Sequence, residues 1–528
     1  MFPKKYNYSA LAKGIVLAIL LSGILFRFAY LDKKNYWNDE AYTSLRVAGY
    51  TYRQVEDDIA NNQLFELNDL QKYQRRNPDY GMRDVIHSML EEDAHISPLY
   101  FVITRLWTNI WGLTPHQTRL VAALISLLTL PCMYWLSYEL FQRSLTAWIA
   151  TVLIAISPLQ VLYAQEARNY SILAVATLLA SASLLRALRV QTVFAWMSYA
   201  ITAAIALYAN MLSILVLLGH GIYVAAVYGW RYRKLCRNYM LAVTGSIACF
   251  IPWILASHEI AEPKYVAKSI SLITLAKRLF FNVTINFFDI QTLSDRQIFD
   301  LKFSRDTIQF TFSETTAYLL GIFVVFSICA LYFLIRNTPK RVYWFVITLV
   351  GANVLPFLLS DLLMEGQRST VTRYLIPSLL GIQLAAANLF GMKLLDKRTQ
   401  IWKRQALQIT ASLLLFCSFL SCFFSMRAET WWTKYSSYSD PQIARIINRT
   451  TEPVVISSSP MRAIALSYLL KPETTFMIVP RHEFPRIPDE KDNVFLYWPK
   501  TYFIDYLEQS RWGAGMTHQL DQLWQLKR

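Results

Sequence analysis

Residues 145–189 read LTAWIATVLIAISPLQVLYAQEARNYSILAVATLLASASLLRALR, and this stretch decides the class of fold. It contains two apolar runs, 145–163 and 170–189, each close to the roughly 20 residues that a helix needs to cross a bilayer. A soluble amphipathic helix would carry charged residues along one face, and neither run does so before its last turn. The pattern therefore predicts two transmembrane helices joined by a short polar segment.

The same pattern recurs along the whole chain of 528 residues. Further apolar runs lie at 13–31, 117–139, 192–209, 211–229, 238–256, 317–335, 341–361, 370–391 and 405–425. Charged residues make up 17% of the chain, below the roughly 25% of soluble proteins. We therefore expect a polytopic α-helical membrane protein with about 11–13 transmembrane helices. The first run is interrupted only by Arg27 and is interpreted as an uncleaved span.

Charge sets the expected orientation. The net charge of +16 suggests nucleic acid in a soluble protein, but in a membrane protein Lys and Arg accumulate in cytoplasmic loops. A cytoplasmic N-terminus places the basic clusters 141–143, 186–189, 230–237, 336–341 and 393–404 inside. This holds only if 97–112 does not cross, so we expect a juxtamembrane helix there. No nucleic-acid partner is expected.

This topology leaves three large segments on the outer side, at 32–96, 257–316 and 428–528. In the third, helix-like and strand-like segments alternate, with strands expected at 454–458, 475–479 and 493–498. The alternation predicts a small α/β domain with a few parallel strands. We expect a transmembrane domain over 1–427 and an extracytoplasmic α/β domain over 428–528.

Two acidic clusters flank the first outer segment. Asp39 and Glu40 follow the first span, next to aromatic residues, and a carboxylate there suits a general base or a divalent-cation ligand. The alternative is that both acids cap an amphipathic helix over 41–60. The second cluster, 91–93, precedes His95, which is a further candidate ligand, or simply part of a solvated acidic turn.

Two polar clusters interrupt the later apolar runs. Gln165, Glu166 and Arg168 lie between two spans, where ionisable side chains are costly and therefore candidates for function. Arg368 and Arg373 lie on the outer side, against the charge bias of the other loops, and an anionic ligand would explain them. The alternative for both clusters is that long side chains extend to the lipid headgroups.

Together these segments resemble the GT-C superfamily of polyprenyl-phosphate-sugar-dependent glycosyltransferases. The resemblance is closest to the bacterial family-39-like branch, which is related to protein O-mannosyltransferases and the lipid A aminoarabinose transferase. The Asp-Glu of that branch is matched by 39–40, its His-Pro-Pro-Leu-Tyr-Tyr-like segment by 95–101 and its late Arg-Tyr-Leu-x-Pro by 373–377. Its Ser-Pro…Gln-Glu-Ala-Arg-x-Tyr element, the most specific of these, is matched by 157–170. Ser97 replaces the first proline, and Asn210 stands where a histidine is frequent.

The resemblance implies an inverting sugar transfer from a polyprenyl-phosphate donor to a lipid, glycan or protein acceptor on the outer face of a bacterial inner membrane. Asp39 would be the base, with Glu40 as a helper or metal-site neighbour. The implied donor and phosphate site comprises Gln165, Glu166, Arg168, Tyr170, Arg368, Arg373 and Tyr374, with His95 and Tyr100 as additional candidates. The one candidate cofactor is a divalent cation (Mg, Mn or Zn) bound by Asp39, Glu40 and His95.

Two other functions are compatible with an apolar chain of this kind. A transporter or flippase of lipid-linked sugars would share the spans, the aromatic residues and the arginines, but it has no need of an Asp-Glu pair at the membrane surface. A scaffold that only displays the C-terminal domain explains none of the clusters.

Overall fold

The computed structural model describes residues 10–257, 271–289, 299–304, 307–312, 314–364, 366–396, 398–481, 483–487, 492–510 and 513–526. Its helices are α1 (Ala10–Phe28), α2 (Asn38–Ala48), α3 (Tyr52–Ile59), α4 (Leu67–Gln71), α5 (Met82–Glu92), α6 (Leu99–Trp111), α7 (Pro115–Leu127), α8 (Thr129–Phe141), α9 (Ser144–Ala155), α10 (Pro158–Ala164), α11 (Tyr170–Val190), α12 (Val193–Ala209), α13 (Ser213–Tyr228), α14 (Arg233–Ser257), α15 (Leu272–Thr284), α16 (Glu314–Asn337), α17 (Lys340–Met364), α18 (Ile376–Lys393), α19 (Ile401–Arg427), α20 (Asp440–Ile447), α21 (Pro460–Ser467) and α22 (Thr501–Glu508). Its strands are β1 (Leu64–Glu66), β2 (Phe299–Ser304), β3 (Thr307–Phe312), β4 (Val454–Ser457), β5 (Thr475–Ile478), β6 (Val494–Tyr497), β7 (Met516–Leu520) and β8 (Leu523–Leu526).

The described helices confirm a polytopic membrane protein. Those long and apolar enough to span a bilayer are Ala10–Phe28, Pro115–Phe141, Tyr170–Val190, Arg233–Ser257, Lys340–Met364, Thr372–Lys393 and Ile401–Arg427. The pair α9 and α10 adds a further candidate span, bent by 55°, and three shorter apolar helices are Val193–Ala209, Ser213–Tyr228 and Gly321–Asn337. Segment 97–112 forms α6, whose 13 residues extend about 20 Å, less than the roughly 30 Å of a hydrocarbon core.

The chain forms two compact units. Unit 1 takes in the described residues of Met1–Ala29, His95–Tyr100 and Ala122–Met426, and unit 2 those of Tyr30–Ala94, Phe101–Val121 and Arg427–Arg528. The sequence predicted a second domain that begins at residue 428. Unit 2 contains this C-terminal segment and also most of the first outer segment. Of the second outer segment, 257–316, residues 258–270 and 290–298 lie outside the described residues.

The sheet of unit 2 has the strand order β1-β5-β4-β6-β8-β7. The three predicted strands β4, β5 and β6 run parallel, which confirms the small α/β domain. Two parts of the sheet were not predicted. Strand β1 comes from the first outer segment and pairs antiparallel with β5, and β7 and β8 form an antiparallel hairpin beside β6.

Helices cover both faces of this sheet. Alternate strand residues point to opposite faces, so Val455 packs with residues of α2, α20 and α21, while Val454 and Ile456 pack with α22. The strand residues of β4 and β6 are all buried, as expected for parallel strands with both faces covered.

Burial of one carboxyl in this domain predicts a pH dependence of stability. Asp440 begins α20, and the Tyr497 hydroxyl donates to its Oδ1 at 2.7 Å. Burial raises the pKa of Asp440 from 3.8 to about 6, although the bond from Tyr497 acts in the opposite direction. Because the folded state holds the proton more tightly, this contribution to stability is complete below about pH 4 and is lost as the pH rises through about 6.

We therefore expect Asp440→Asn to flatten the pH dependence of thermal unfolding of the detergent-solubilised chain between pH 4 and 8. A shift of about two pKa units corresponds to roughly 3 kcal/mol. The exposed Asp505 of α22 provides the control, because its replacement by Asn should leave the wild-type slope unchanged. Equal slopes for wild type and Asp440→Asn would contradict the prediction.

Candidate functional site

The segment 157–170 of unit 1 is held at a break between helices. Ile156 and Ser157 separate α9 from α10, which begins at Pro158 and ends at Ala164. The Gln165 side chain donates to the carbonyls of Phe26 and Ala29 at 2.7 and 2.9 Å, so it fixes this segment against the end of α1. Glu166 is 2% exposed, and the amide of Arg168 donates to its carbonyl at 2.7 Å.

Two arginines converge on the ring of Tyr170. The guanidinium carbon of Arg168 lies 6.0 Å from the ring centroid, and that of Arg373 lies 5.8 Å from it. Arg373 also lies 5.7 Å from the ring centroid of Tyr374. Cations are attracted to aromatic faces at such distances. The structure therefore brings together the 165–170 and 373–374 residues that the sequence assigned to one site, although they are about 200 residues apart in the chain.

Helix α15 braces the segment that carries Arg373. Asn282 donates to the carbonyl of Thr370 at 2.8 Å and accepts from the Thr372 hydroxyl, and Arg278 donates to the Gln367 side chain at 2.7 Å. Arg278 and Asn282 are four residues apart, so both project from one face of α15. The sequence analysis missed them, although a polar pair at helical spacing in an apolar helix was a usable signal.

Arg368 lies at the rim of an apolar groove in unit 1. The groove encloses about 450 Å³ and is lined by residues of α12, α13, α14 and α17, among them Leu207, Phe250 and Phe357. The buried carboxylate of Asp361 accepts from the amides of Arg368 and Ser369 at 2.8 and 2.6 Å, which fixes the turn. Within the described part of the chain, the guanidinium of Arg368 makes no hydrogen bond or ion pair. A cation beside an apolar groove suits an anionic lipid.

Glu40 of unit 2 lies at the centre of a buried ion cluster. Both of its carboxylate oxygens accept bonds of 2.7 Å from Arg119, and one also accepts from Lys434 at 2.7 Å. All three side chains are at most 1% exposed. Arg119 further donates to the carbonyls of residues 31, 34 and 35. Neither Arg119 nor Lys434 was identified from the sequence. The usable signal was that Arg119 lies near the start of an apolar run.

Asp39 lies beside Glu40 but in a different environment. It is half-buried in the first turn of α2, where a helix N-terminus stabilises a carboxylate. Its backbone carbonyl accepts from the Thr43 hydroxyl at 3.1 Å. The predicted helix over 41–60 is wrong as one element, because α2 ends at Ala48 and is followed by Gly49, whose φ of 98° is in the left-handed region. Helix α3 then begins with a capping box on Thr51.

The acidic cluster at 91–93 is occupied by protein partners. Arg46 contacts Glu92 and Asp93 at 2.6 and 2.7 Å, and Glu92 also accepts from two backbone amides at the start of α3. In unit 1, His95 is exposed and Tyr100 is buried. Both stay predictions as site residues.

The predicted divalent cation finds little support in these side chains. No cluster of three His, Cys, Asp or Glu side chains that could hold a metal ion occurs among the described residues. Glu40 does not fit the role of a ligand, because two cations already contact its oxygens and would repel a third.

Two comparisons relate this chain to known proteins. Residues 95–255 match the family model of dolichyl-phosphate-mannose-protein mannosyltransferases. Among solved structures, apo ArnT from Cupriavidus metallidurans is similar over 98% of both chains, with a TM-score of 0.52 and 13% identity. The same protein bound to undecaprenyl phosphate matches over 98% of both chains, with a TM-score of 0.53 and 14% identity. The chain shares the fold of the GT-C superfamily. No curated protein sequence matches it significantly.

The GT-C assignment confirms the predicted resemblance and its membrane fold. The matched family and ArnT are glycosyltransferases, and the family match includes both His95 and the 157–170 segment. At 13–14% identity the structural similarity shows the fold alone and assigns no role to an individual residue.

Proposed function

We propose that this protein transfers a sugar from a polyprenyl-phosphate donor to an acceptor hydroxyl on the outer face of the cytoplasmic membrane. The observation that carries the proposal is the pairing in unit 1 of an apolar groove with arginines. The groove and its rim residue Arg368 suit an isoprenoid chain with an anionic headgroup, and Arg168 and Arg373 meet at Tyr170. The similarity to ArnT bound to undecaprenyl phosphate supports the same donor class.

The proposed reaction is a single inverting displacement. The acceptor oxygen attacks the anomeric carbon, and the bond from that carbon to the phosphate oxygen breaks. The electron pair of the broken bond remains on the lipid phosphate, and the acceptor proton passes to the carboxylate of Asp39. One base suffices, and no covalent enzyme intermediate forms.

Arginines are suited to the leaving group of this reaction. As the glycosidic bond breaks, negative charge grows on the phosphate, and fixed guanidinium groups stabilise it without reorganising at that moment. The contacts of Arg373 with the rings of Tyr170 and Tyr374, and those of its segment with α15, support this role. Gln165 and Glu166 would shape the surroundings of the sugar and phosphate.

The direct test uses the purified full-length chain with a radiolabelled polyprenyl-phosphate sugar and membrane extracts as the source of acceptor. We expect label to move to a lipid, glycan or protein product, with release of the polyprenyl phosphate. Movement of intact donor across the bilayer without transfer would favour a flippase and would contradict the proposal.

Arg373→Ala is expected to weaken binding of the donor chiefly. A charge-assisted hydrogen bond contributes roughly 1.5–3 kcal/mol, which corresponds to a rise of about 10- to 100-fold in donor KM. Arg336→Ala is a matched control, because Arg336 is exposed and also lies 5.7 Å from a tyrosine ring, that of Tyr332. An unchanged donor KM in Arg373→Ala would refute this role.

The proposed orientation, with a cytoplasmic N-terminus, rests on the distribution of basic loops. We expect alkaline phosphatase fused after residues 143, 235 and 400 to be inactive, because these points would lie in the cytoplasm, and fusion after residue 528 to be active. Active enzyme at the first three points would overturn the orientation and with it the outer-face reaction.

A further inference from the structure

Arg27 is a buried cation near the end of α1, in a run of apolar residues. It is 0% exposed, and its guanidinium donates to three backbone carbonyls. One is Gly23 in its own helix, at 2.7 Å, and the others are Ile154 and Ala155 at the end of α9. A charge placed in the apolar part of a membrane protein is costly and calls for a specific role.

The chemistry of the helix break explains which carbonyls Arg27 contacts. In a continuous helix the amide of residue 158 would donate to the carbonyl of Ile154, but Pro158 has no N–H. In the same way the amide of Leu159 would donate to the carbonyl of Ala155, but it donates to the carbonyl of Ile285 at 3.3 Å instead. Within the segment, the carbonyl of Ile154 accepts from the amides of Ile156 and Ser157, the latter at 3.4 Å. Arg27 supplies a side-chain donor to both carbonyls, and its charge interacts favourably with the negative end of α9.

The two helices approach each other closely at this point. A Cβ on Gly23 would lie 2.4 Å from the carbonyl oxygen of Ala155, a distance that no side chain tolerates. Gly23 is one turn before Arg27, so both residues face the break. The backbone of α1 is therefore in direct contact with the last turn of α9, and Arg27 donates to carbonyls of that same turn.

In a second contact, the end of α1 supplies the acceptors and the segment after α10 supplies the donor. At the other end of α10, Gln165 donates to the carbonyls of Phe26 and Ala29, which flank Arg27 in the chain. Helix α10 is thus held by α1 at both ends, through Arg27 before its first residue and through Gln165 after its last. The residues that follow directly are Glu166, Arg168 and Tyr170 of the proposed donor site.

We propose that Arg27 is a positioning residue for the donor site, which it sets by holding the break between α9 and α10. This inference rests on the proposed function, since it concerns the same donor. Loss of the guanidinium would let α10 shift, and the convergence of Arg168 and Arg373 on Tyr170 would loosen. Arg27 itself does not touch the donor.

The test compares Arg27→Met with Arg27→Lys in the full-length protein, using thermal stability, donor KM, and the Kd for undecaprenyl phosphate alone. We expect at least a tenfold rise of donor KM and of Kd in Arg27→Met, and a smaller rise in Arg27→Lys, because one ammonium reaches fewer carbonyls. Arg105→Met is the control for a buried arginine bound to carbonyls, those of Val47 and Tyr80, and should lower stability without changing the Kd.

A double variant separates positioning from stability. Adding Pro158→Ala to Arg27→Met returns an amide to the break and should recover thermal stability while donor KM and Kd stay high. Full recovery of thermal stability and of donor binding in the double variant would show a merely structural role and overturn the inference. An unchanged donor KM and Kd in Arg27→Met would also overturn it. If Arg27→Met does not fold, an unchanged donor KM and Kd in Arg27→Lys would contradict the positioning role of Arg27. Wild type that binds undecaprenyl phosphate without sugar transfer would instead refute the proposed function, and the Kd values would still test Arg27.

Discussion

Asp39→Asn is expected to abolish sugar transfer while the protein still folds and binds its donor. The change removes the group that accepts the acceptor proton, and a positioned general base contributes typically 10²- to 10⁴-fold to the rate. Asn preserves the shape of the side chain, and the lost interaction of the charge with the helix N-terminus costs only about 0.3–1 kcal/mol. Asp39 is half-buried rather than fully enclosed, so its neutralisation should cost little stability. The measurement is turnover with the labelled donor, together with donor affinity and thermal unfolding.

The control for Asp39→Asn is Asp57→Asn in the same unit. Asp57 is 73% exposed on α3 and makes a 4.0 Å contact with the exposed Arg53, so its replacement should leave turnover unchanged. Wild-type turnover in Asp39→Asn would remove Asp39 from the reaction. A large loss of donor affinity in that variant would also contradict the assignment, since a base acts on the acceptor.

Glu40→Gln is expected to have the opposite profile, with a large loss of stability. It would leave Arg119 and Lys434 buried without the carboxylate that both contact. Breaking a buried ion pair from one side typically costs 3–5 kcal/mol. Glu40 and Asp39 are adjacent in sequence, yet we expect Glu40→Gln to lower the temperature of unfolding and Asp39→Asn to lower turnover.

Lys434→Met provides the comparison within the same cluster. It leaves the two-point contact between Arg119 and Glu40 intact, so its loss of stability should be smaller than that of Glu40→Gln. In the double variant Glu40→Gln/Lys434→Met one uncompensated cation is gone, and we expect less destabilisation than the sum of the single changes. Additive effects would show that Lys434 and Glu40 are not coupled.

The sequence predicted those parts of the fold that depend on local composition. The spans follow from runs of apolar residues, and strands β4 to β6 follow from short apolar segments bounded by turns. Strand β1 was missed because its three residues carry no periodic signal and pair with a segment about 410 residues later. The single span expected over 145–163 is bent at Pro158, which a hydropathy pattern does not register.

The candidate site likewise has features that the sequence predicted and features that it did not. The grouping of Arg168, Tyr170 and Arg373 in unit 1 agrees with the sequence, because each residue is conspicuous in its own apolar context. The distinct environments of Asp39 and Glu40 were not predictable. They depend on Arg119 and Lys434, which are 79 and 394 residues away from Glu40 in the chain.

Transfer of labelled sugar by the purified wild-type chain, compared with that by Asp39→Asn, tests the central claim most directly. The account predicts donor-dependent labelling of an acceptor by the wild type, and labelling by Asp39→Asn that is lower by at least 100-fold at equal donor binding, the lower end of the usual contribution of a general base. Equal labelling by both proteins, or none by a wild type that binds undecaprenyl phosphate, would contradict it.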